Sequence, residues 1–227
     1  MPSKAHSASN VKKHRVFLID DHPIVRQGLA LLIDGEPDLF VCGEADGGYA
    51  AVQSVFEMHP DILVLDLSLS GPDGIELLKT IRVRDANLPV LVLSMHDEST
   101  YAERALRAGA NGYIMKQEAT EKVLTAIRRI LKGDAYLSDR LTNRMLHHFI
   151  SGTVSKDSPL ANLSDRELQV FRLIGEGHGT RQIADELHIS VKTVESYQGH
   201  IKEKLYLRNA RELVQHAIEW SVTQKNA

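Results

Sequence analysis

The sequence predicts a doubly wound α/β domain with a five-stranded parallel sheet, followed by a smaller all-α domain. Three observations predict it. Between Arg15 and about Gly133, short apolar runs without polar alternation take turns with amphipathic stretches, and such runs are strands buried on both faces of a parallel sheet. Four of the runs end in chemically active residues: Val16-Phe17-Leu18-Ile19 in Asp20-Asp21, Ile62-Leu63-Val64-Leu65 in Asp66, Val90-Leu91-Val92-Leu93 in Ser94, and Tyr113-Ile114-Met115 in Lys116. Beyond residue 160 only helical periodicity remains.

The strands are expected near 15–20, 39–44, 61–66, 89–94 and 111–115, and the helices between them near 23–34, 47–59, 73–84, 98–109 and 119–133. This alternation reads as βαβ units with helices on both sheet faces. Five strands suit the flavodoxin-like order 2-1-3-4-5, whose switch point lies between the first and third strands. Asp20-Asp21 and Asp66 end those two strands. A further helix is expected over 138–150, with Ser138 as its N-cap and Leu141, Met145 and Phe149 on one face. The run SGTVSKDSP at 151–159 is a linker. Ser164-Asp165-Arg166-Glu167 forms a capping box that Leu163 can staple to Leu168, and Gly175, Gly177 and Gly179 end that helix. Residues 180–205 hold two short helices joined around His188-Ile189, the second capped by Ser190, a helix-turn-helix spacing. The chain thus divides into a disordered tail (1–14), an α/β domain (15–133), a linker carrying a helix (134–159) and a helical domain (160–227).

Composition narrows the class. A chain of 227 residues with net charge -3 has room for two modest cores. The single Cys42 cannot form an internal disulfide, which suits a reducing cytoplasm. Residues 1–14 lack the apolar segment of a signal peptide. No run reaches the ~18 apolar residues a membrane helix needs, so no membrane partner is expected.

Singly, the strand-end residues have plain explanations: Asp21 caps a helix at Pro23, Ser94 sits in a turn, Lys116 is a surface charge. Together they match one chemistry, phosphoryl transfer to a carboxylate. Clustered carboxylates repel each other unless a cation sits among them, and Mg²⁺ is the natural hard cation. Asp20, Asp21 and one oxygen of Asp66 would hold it. The other Asp66 oxygen would attack phosphorus, while Lys116 and Ser94 share the phosphoryl oxygens. His22 invites a transition-metal reading, but adjacent residues rarely converge on one ion. His147-His148 read as part of a polar helix face.

With Asp20-Asp21-His22-Pro23, Asp66, Gly71-Pro72-Asp73-Gly74, Ser94 and Gly112-Tyr113-Ile114-Met115-Lys116 in register, residues 15–133 resemble the receiver domain of bacterial response regulators. The resemblance implies a flavodoxin-like fold, phosphorylation of Asp66 by a sensor histidine kinase, a backbone carbonyl of Ser68 on the metal, and inward movement of Ser94 and Tyr113 on phosphorylation. It implies no enzyme activity beyond the receiver's own phosphorylation and dephosphorylation. Ser70 stands where proline is common in this subfamily, which bears on phosphoryl lifetime. The stretch LSDRELQVFRLIGEGHGTRQIADELHISVKTVESYQGHIKEKL resembles the LuxR-type DNA-binding domain, and its fusion to a receiver is the architecture of the NarL/FixJ family. The function so implied is a transcription factor that binds an operator as a dimer when phosphorylated, its helix-turn-helix masked by the receiver at rest.

On that reading the helix from Val191 to about Leu205 enters the major groove. Val194, Tyr197 and Ile201 face inward, and Lys192, Glu195, Ser196 and Gly199 face the bases. Arg181, Lys202, Lys204, Arg208 and Arg211 are candidate phosphate contacts, and Leu213, Val214, Ala217 and Ile218 a candidate dimer surface, some of which must belong to the core. From Leu160 onward nine Lys and Arg balance nine Asp and Glu. A neutral domain releases few counterions, so one copy should bind DNA weakly, and two linked copies should recover affinity. Two rival functions remain: an output domain that binds protein instead of DNA, and an aspartate-nucleophile phosphatase. The second lacks the aspartate two residues on that would serve as general acid, since Ser68 is there.

Overall fold

The computed structural model describes residues 12–69, 73–95, 98–151 and 159–225. Five strands, β1 (His14–Ile19), β2 (Leu39–Ala45), β3 (Ile62–Asp66), β4 (Val90–Ser94) and β5 (Gly112–Met115), pair in parallel in the order β2-β1-β3-β4-β5. Side chains alternate across a strand, and here the alternation sorts two cores. Phe17, Ile19, Leu63, Leu65, Val90 and Val92 pack beneath α2 (Gly48–Met58), α3 (Gly74–Arg84) and α4 (Glu98–Arg107). Val16, Leu18, Ile62, Val64, Leu91 and Leu93 pack beneath α1 (Pro23–Asp34) and α5 (Ala119–Leu131). Both faces are covered, which is why the runs show no polar alternation.

Element positions agree with the sequence to within one or two residues, and two boundaries change meaning. Tyr136, expected in the linker, sits on the β5 edge: the Tyr113 N–H donates to its carbonyl at 3.0 Å, and its own N–H donates to the Asn111 carbonyl at 3.0 Å. An edge strand leaves backbone groups unpaired, and this contact satisfies some of them. The expected tail is partly structured too, because β1 begins at His14. The disorder expected of the tail otherwise falls on residues 1–11, and residues 152–158 of the expected linker, together with Ser70-Gly71-Pro72, likewise lie outside the described residues.

After the sheet, α6 (Asp139–Ser151) starts at Ser138, whose Oγ accepts the Leu141 N–H at 3.0 Å and donates to Glu98 Oε2 at 2.6 Å. The helical domain comprises α7 (Asp165–Gly175), α8 (Thr180–Glu186), α9 (Val191–Lys204) and α10 (Ala210–Lys225). Both halves of the capping box form at Ser164 and Glu167. Gly175 brings α7 close to α10, for a Cβ there would lie 2.4 Å from the Ala217 carbonyl oxygen. This close approach corrects part of the dimer surface expected from sequence. Leu213 and Ala217 are buried in the domain core, while Val214 and Ile218 are exposed on the far side of α10.

The two domains touch at α7. Arg104 on α4 donates through Nη1 to Asp165 Oδ1 at 2.9 Å and the Leu163 carbonyl at 2.8 Å, and through Nη2 to the Leu160 carbonyl at 2.8 Å. Lys79 on α3 reaches Asp165 Oδ2 at 2.8 Å. Beneath this contact Tyr101 and Ala105 of α4 share one continuous buried cluster with Leu160 and Leu163.

Candidate functional site

Parallel strands deliver their carboxyl ends to one edge, and there β1, β3 and β5 bring Asp20, Asp66 and Lys116 together. Lys116 Nζ lies 2.7 Å from Asp20 Oδ2 and 2.7 Å from Asp66 Oδ2. All three side chains are almost wholly buried. The other Asp66 oxygen, Oδ1, accepts the Ser68 N–H at 2.9 Å. Asp20 Oδ1 accepts the His22 N–H at 2.8 Å. Carboxylate oxygens of Asp20, Asp21 and Asp66, with a ring nitrogen of His22, fall within 4.8 Å of one another.

Burial is the main influence on Asp66 and pushes its carboxyl above the usual range, while the Lys116 hydrogen bond and charge oppose it. Burial acts against the Lys116 charge as well, yet its hydrogen bonds to Asp20 and Asp66 win and raise its affinity for the proton. The result is a buried lysine held charged between two acids, an anion-attracting group aimed at the Asp66 oxygens.

Asp21 does not cap α1. The N-cap is His22, it makes no side-chain capping bond, and Pro23 removes a donor the helix start would leave unmatched. His22 Nδ1 instead stands 2.7 Å from Asp21 Oδ1. Ser94 is completely buried at the end of β4, and Tyr113 is nearly so, so the tyrosine already occupies an inward position. The strand-end acids, the hydroxyl and the lysine were legible in the sequence. For two residues of the Gly71-Pro72-Asp73-Gly74 motif the sequence did not show the role. Gly74 opens α3 so close to the end of β3 that a Cβ would meet the Asp66 carbonyl oxygen and Leu67 Cα at 2.5 Å. Asp73 caps that helix, its Oδ1 accepting the Ile75 N–H at 2.9 Å. The GPDG run hinted at a turn, but not that its last glycine abuts the acceptor strand.

In the helical domain Val194 and Ile201 are buried and Tyr197 half-buried, while Lys192, Glu195 and Ser196 are exposed on the opposite face of α9. A Cβ on Gly199 would meet nothing within 4 Å. Arg181, Arg208 and Arg211 are exposed. Lys202 is half-buried. Lys204, expected on DNA phosphate, has its Nζ 2.6 Å from Glu167 Oε2, tying α9 to the start of α7. Tyr197, on the other side of α9, lines a polar groove together with Tyr49, Glu76 and Arg104.

Residues 16–128 match the model described as the response regulator receiver domain, and residues 161–217 the model described as bacterial regulatory proteins, luxR family. The oxygen regulatory protein NreC of Staphylococcus carnosus is 35% identical over 210 residues, covering 90% of this chain and 97% of the relative. NreC of Staphylococcus aureus RF122 is 37% identical over 212 residues with the same coverage. Among solved structures, RcsB of Salmonella enterica serovar Typhimurium bound to promoter rprA with a phosphomimetic is 26% identical. It aligns over 91% of this chain and 98% of that one with a TM-score of 0.63. A LuxR-family response regulator from Aurantimonas is 37% identical over 61% of this chain and 99% of its own, with a TM-score of 0.57. Two domain models in this order, and relatives aligned over nearly their whole length, make the chain a member of the NarL/FixJ family: a response regulator transcription factor with a receiver and a LuxR-type DNA-binding domain, and not a catalytic enzyme.

Proposed function

We propose that Asp66 is the phosphoryl acceptor and that a sensor histidine kinase is the donor. The observation that carries this is Lys116 Nζ standing 2.7 Å from both Asp20 and Asp66 in a buried crevice. An Asp66 oxygen attacks phosphorus, a P–O bond forms, and the P–N bond to the donor imidazole breaks. The Lys116 ammonium neutralises charge on the phosphoryl oxygens, and the Ser94 hydroxyl at the end of β4 donates to one of them. The carboxylates are hard oxygen donors and His22 Nδ1 is turned to Asp21 Oδ1 at 2.7 Å, a set that fits Mg²⁺ better than a softer ion. Asp20, Asp21, Asp66 and the Ser68 carbonyl would hold it, and its chemistry there is to offset the negative charge of acid and phosphate.

The output is operator binding by a dimer. Lys192, Glu195, Ser196 and Gly199 read bases; Arg181, Lys202, Arg208 and Arg211 hold phosphates; Lys204 has a structural role on Glu167. Val214 and Ile218, exposed on α10, form the centre of the dimer contact. Phosphorylation controls this output through the Arg104 and Lys79 clamp on Asp165, by orienting the DNA-binding domain and not by covering its reading face. Solved RcsB complexes with promoter DNA support the DNA partner by similarity. The test is footprinting of the full chain with and without acetyl phosphate. Protection that strengthens with the donor, and that Asp66→Asn removes, is the expected result. Equal protection in all three samples would refute phosphorylation control, and its absence in all three the DNA-binding output.

A further inference from the structure

The chain places its most exposed large apolar side chain among the described residues at a backbone position that suits it poorly. Tyr206, just past the end of α9, is 93% exposed and has φ of +57°. Left-handed φ crowds a Cβ against the backbone and is uncommon for bulky residues. The helix end itself is well made without the ring: the Tyr206 N–H bonds to the Glu203 carbonyl at 3.2 Å and the Leu207 N–H to the Lys202 carbonyl at 2.8 Å. A glycine would close this turn with less strain. The ring therefore contributes nothing to folding that would offset its conformation, and outliers of this sort gather at functional sites.

Its place in the fold says what it meets. Counting from Lys192 along α9, the outward stripe runs through Glu195, Ser196, Gly199 and Glu203, and the helix ends at Lys204, two residues before Tyr206. Tyr206 thus stands exposed just beyond the C-terminus of the DNA-reading helix, the end where a helix lying in the major groove comes up against the sugar-phosphate backbone. Arg208 and Arg211, exposed in the turn and first residues of α10, flank it.

We infer that Tyr206 is a DNA-contacting residue, packing its ring on the backbone at the edge of the groove and donating its hydroxyl to a phosphate oxygen. This rests on the DNA-binding reading above. Contacts of this kind fix register and carry no base preference, so Tyr206 supplies affinity that a formally neutral domain otherwise lacks.

The test compares full-length wild type, Tyr206→Gly and Tyr206→Phe, each treated with acetyl phosphate, on a duplex selected by the wild type from a randomised library. Tyr206→Gly should melt at the same temperature or higher, yet bind about tenfold more weakly, as expected for loss of a hydrogen bond to a charged group. Tyr206→Phe should fall between the two, and the order of preferred sequences should not change. A Tyr206→Gly chain that binds as tightly as wild type overturns the assignment. So does one whose self-association without DNA is weakened, since the ring would then belong to a protein contact. A wild type that selects no duplex would overturn the DNA-binding reading together with this one, whereas the first two outcomes leave that reading standing.

Discussion

Asp66 works from the interior. The residue is 1% exposed, and Lys116 and the Ser68 N–H oppose the burial that pushes its proton affinity up. Asp66→Asn should keep the fold, because an amide fits the same space, and should lose all acid-stable, base-labile phosphoryl label from acetyl phosphate. Retained label would place the acceptor elsewhere. Asp73 is a second buried acid, pushed up to about 6 chiefly by burial, with the Asp165 charge adding to it and the Ile75 N–H opposing. A carboxyl raised in the folded state stabilises the fold below its ordinary range near pH 4, and that contribution is lost as pH rises through about 6. Asp73→Asn keeps an acceptor for the Ile75 N–H and removes the charge. It should therefore raise the melting temperature above pH 6, by an amount equivalent to about 1–3 kcal/mol, with the gain fading toward pH 4. A gain that persists unchanged at pH 4 would show that ionisation of Asp73 is not its source.

At the scale of elements, glycines decide which helices approach which. Gly175 sits where a Cβ would overlap the Ala217 carbonyl carbon and oxygen, backbone atoms that cannot swing away. Gly175→Ala should destabilise the helical domain by about 1–3 kcal/mol, as overpacking does, visible as a lower melting temperature. Gly199 is the opposite case, a glycine inside α9 with open space around its Cβ position. Gly199→Ala should stabilise by about 1 kcal/mol through helix propensity alone. If the glycine exists to admit the duplex, the same variant should bind operator more weakly than wild type. A stabilised variant with unchanged binding would assign Gly199 no part in DNA approach. Sequence alone gave these two residues the same appearance, a glycine in or at the end of a helix. Only the neighbours differ, and neighbours come from packing.

For the whole molecule the decisive contact is Arg104 with Asp165, both largely buried side chains, supported by Lys79. Removing Arg104 leaves Asp165 paired with Lys79 alone and takes the donors from the Leu160 and Leu163 carbonyls, which weakens the hold of α4 on the DNA-binding domain. Arg104 lies on α4, whose first residue, Glu98, is hydrogen-bonded to Ser138 at the start of α6. One helix beyond Ser94 therefore holds both the linker and the DNA-binding domain. Arg104→Ala should bind operator about tenfold more tightly than wild type when neither is phosphorylated, a coupling within the usual range. Exchanging the charges, Arg104→Asp with Asp165→Arg, should return affinity toward the wild-type level. Unchanged affinity in Arg104→Ala would reduce the contact to simple packing.

The sequence by itself determined the parallel sheet, its strand order, the two domains and the meeting of Asp20, Asp66 and Lys116. These are written in local pattern: apolar runs fix strands, and parallel pairing sends their last residues to one edge. The tertiary structure decided what depends on distance between remote segments. It moved Leu213 and Ala217 into the core, gave Lys204 to Glu167, set Tyr136 on the sheet edge and joined Arg104 to Asp165. An arginine in the last turn of an amphipathic helix reads as a solvated charge, and nothing within its own helix reveals a carboxylate 61 residues further along the chain.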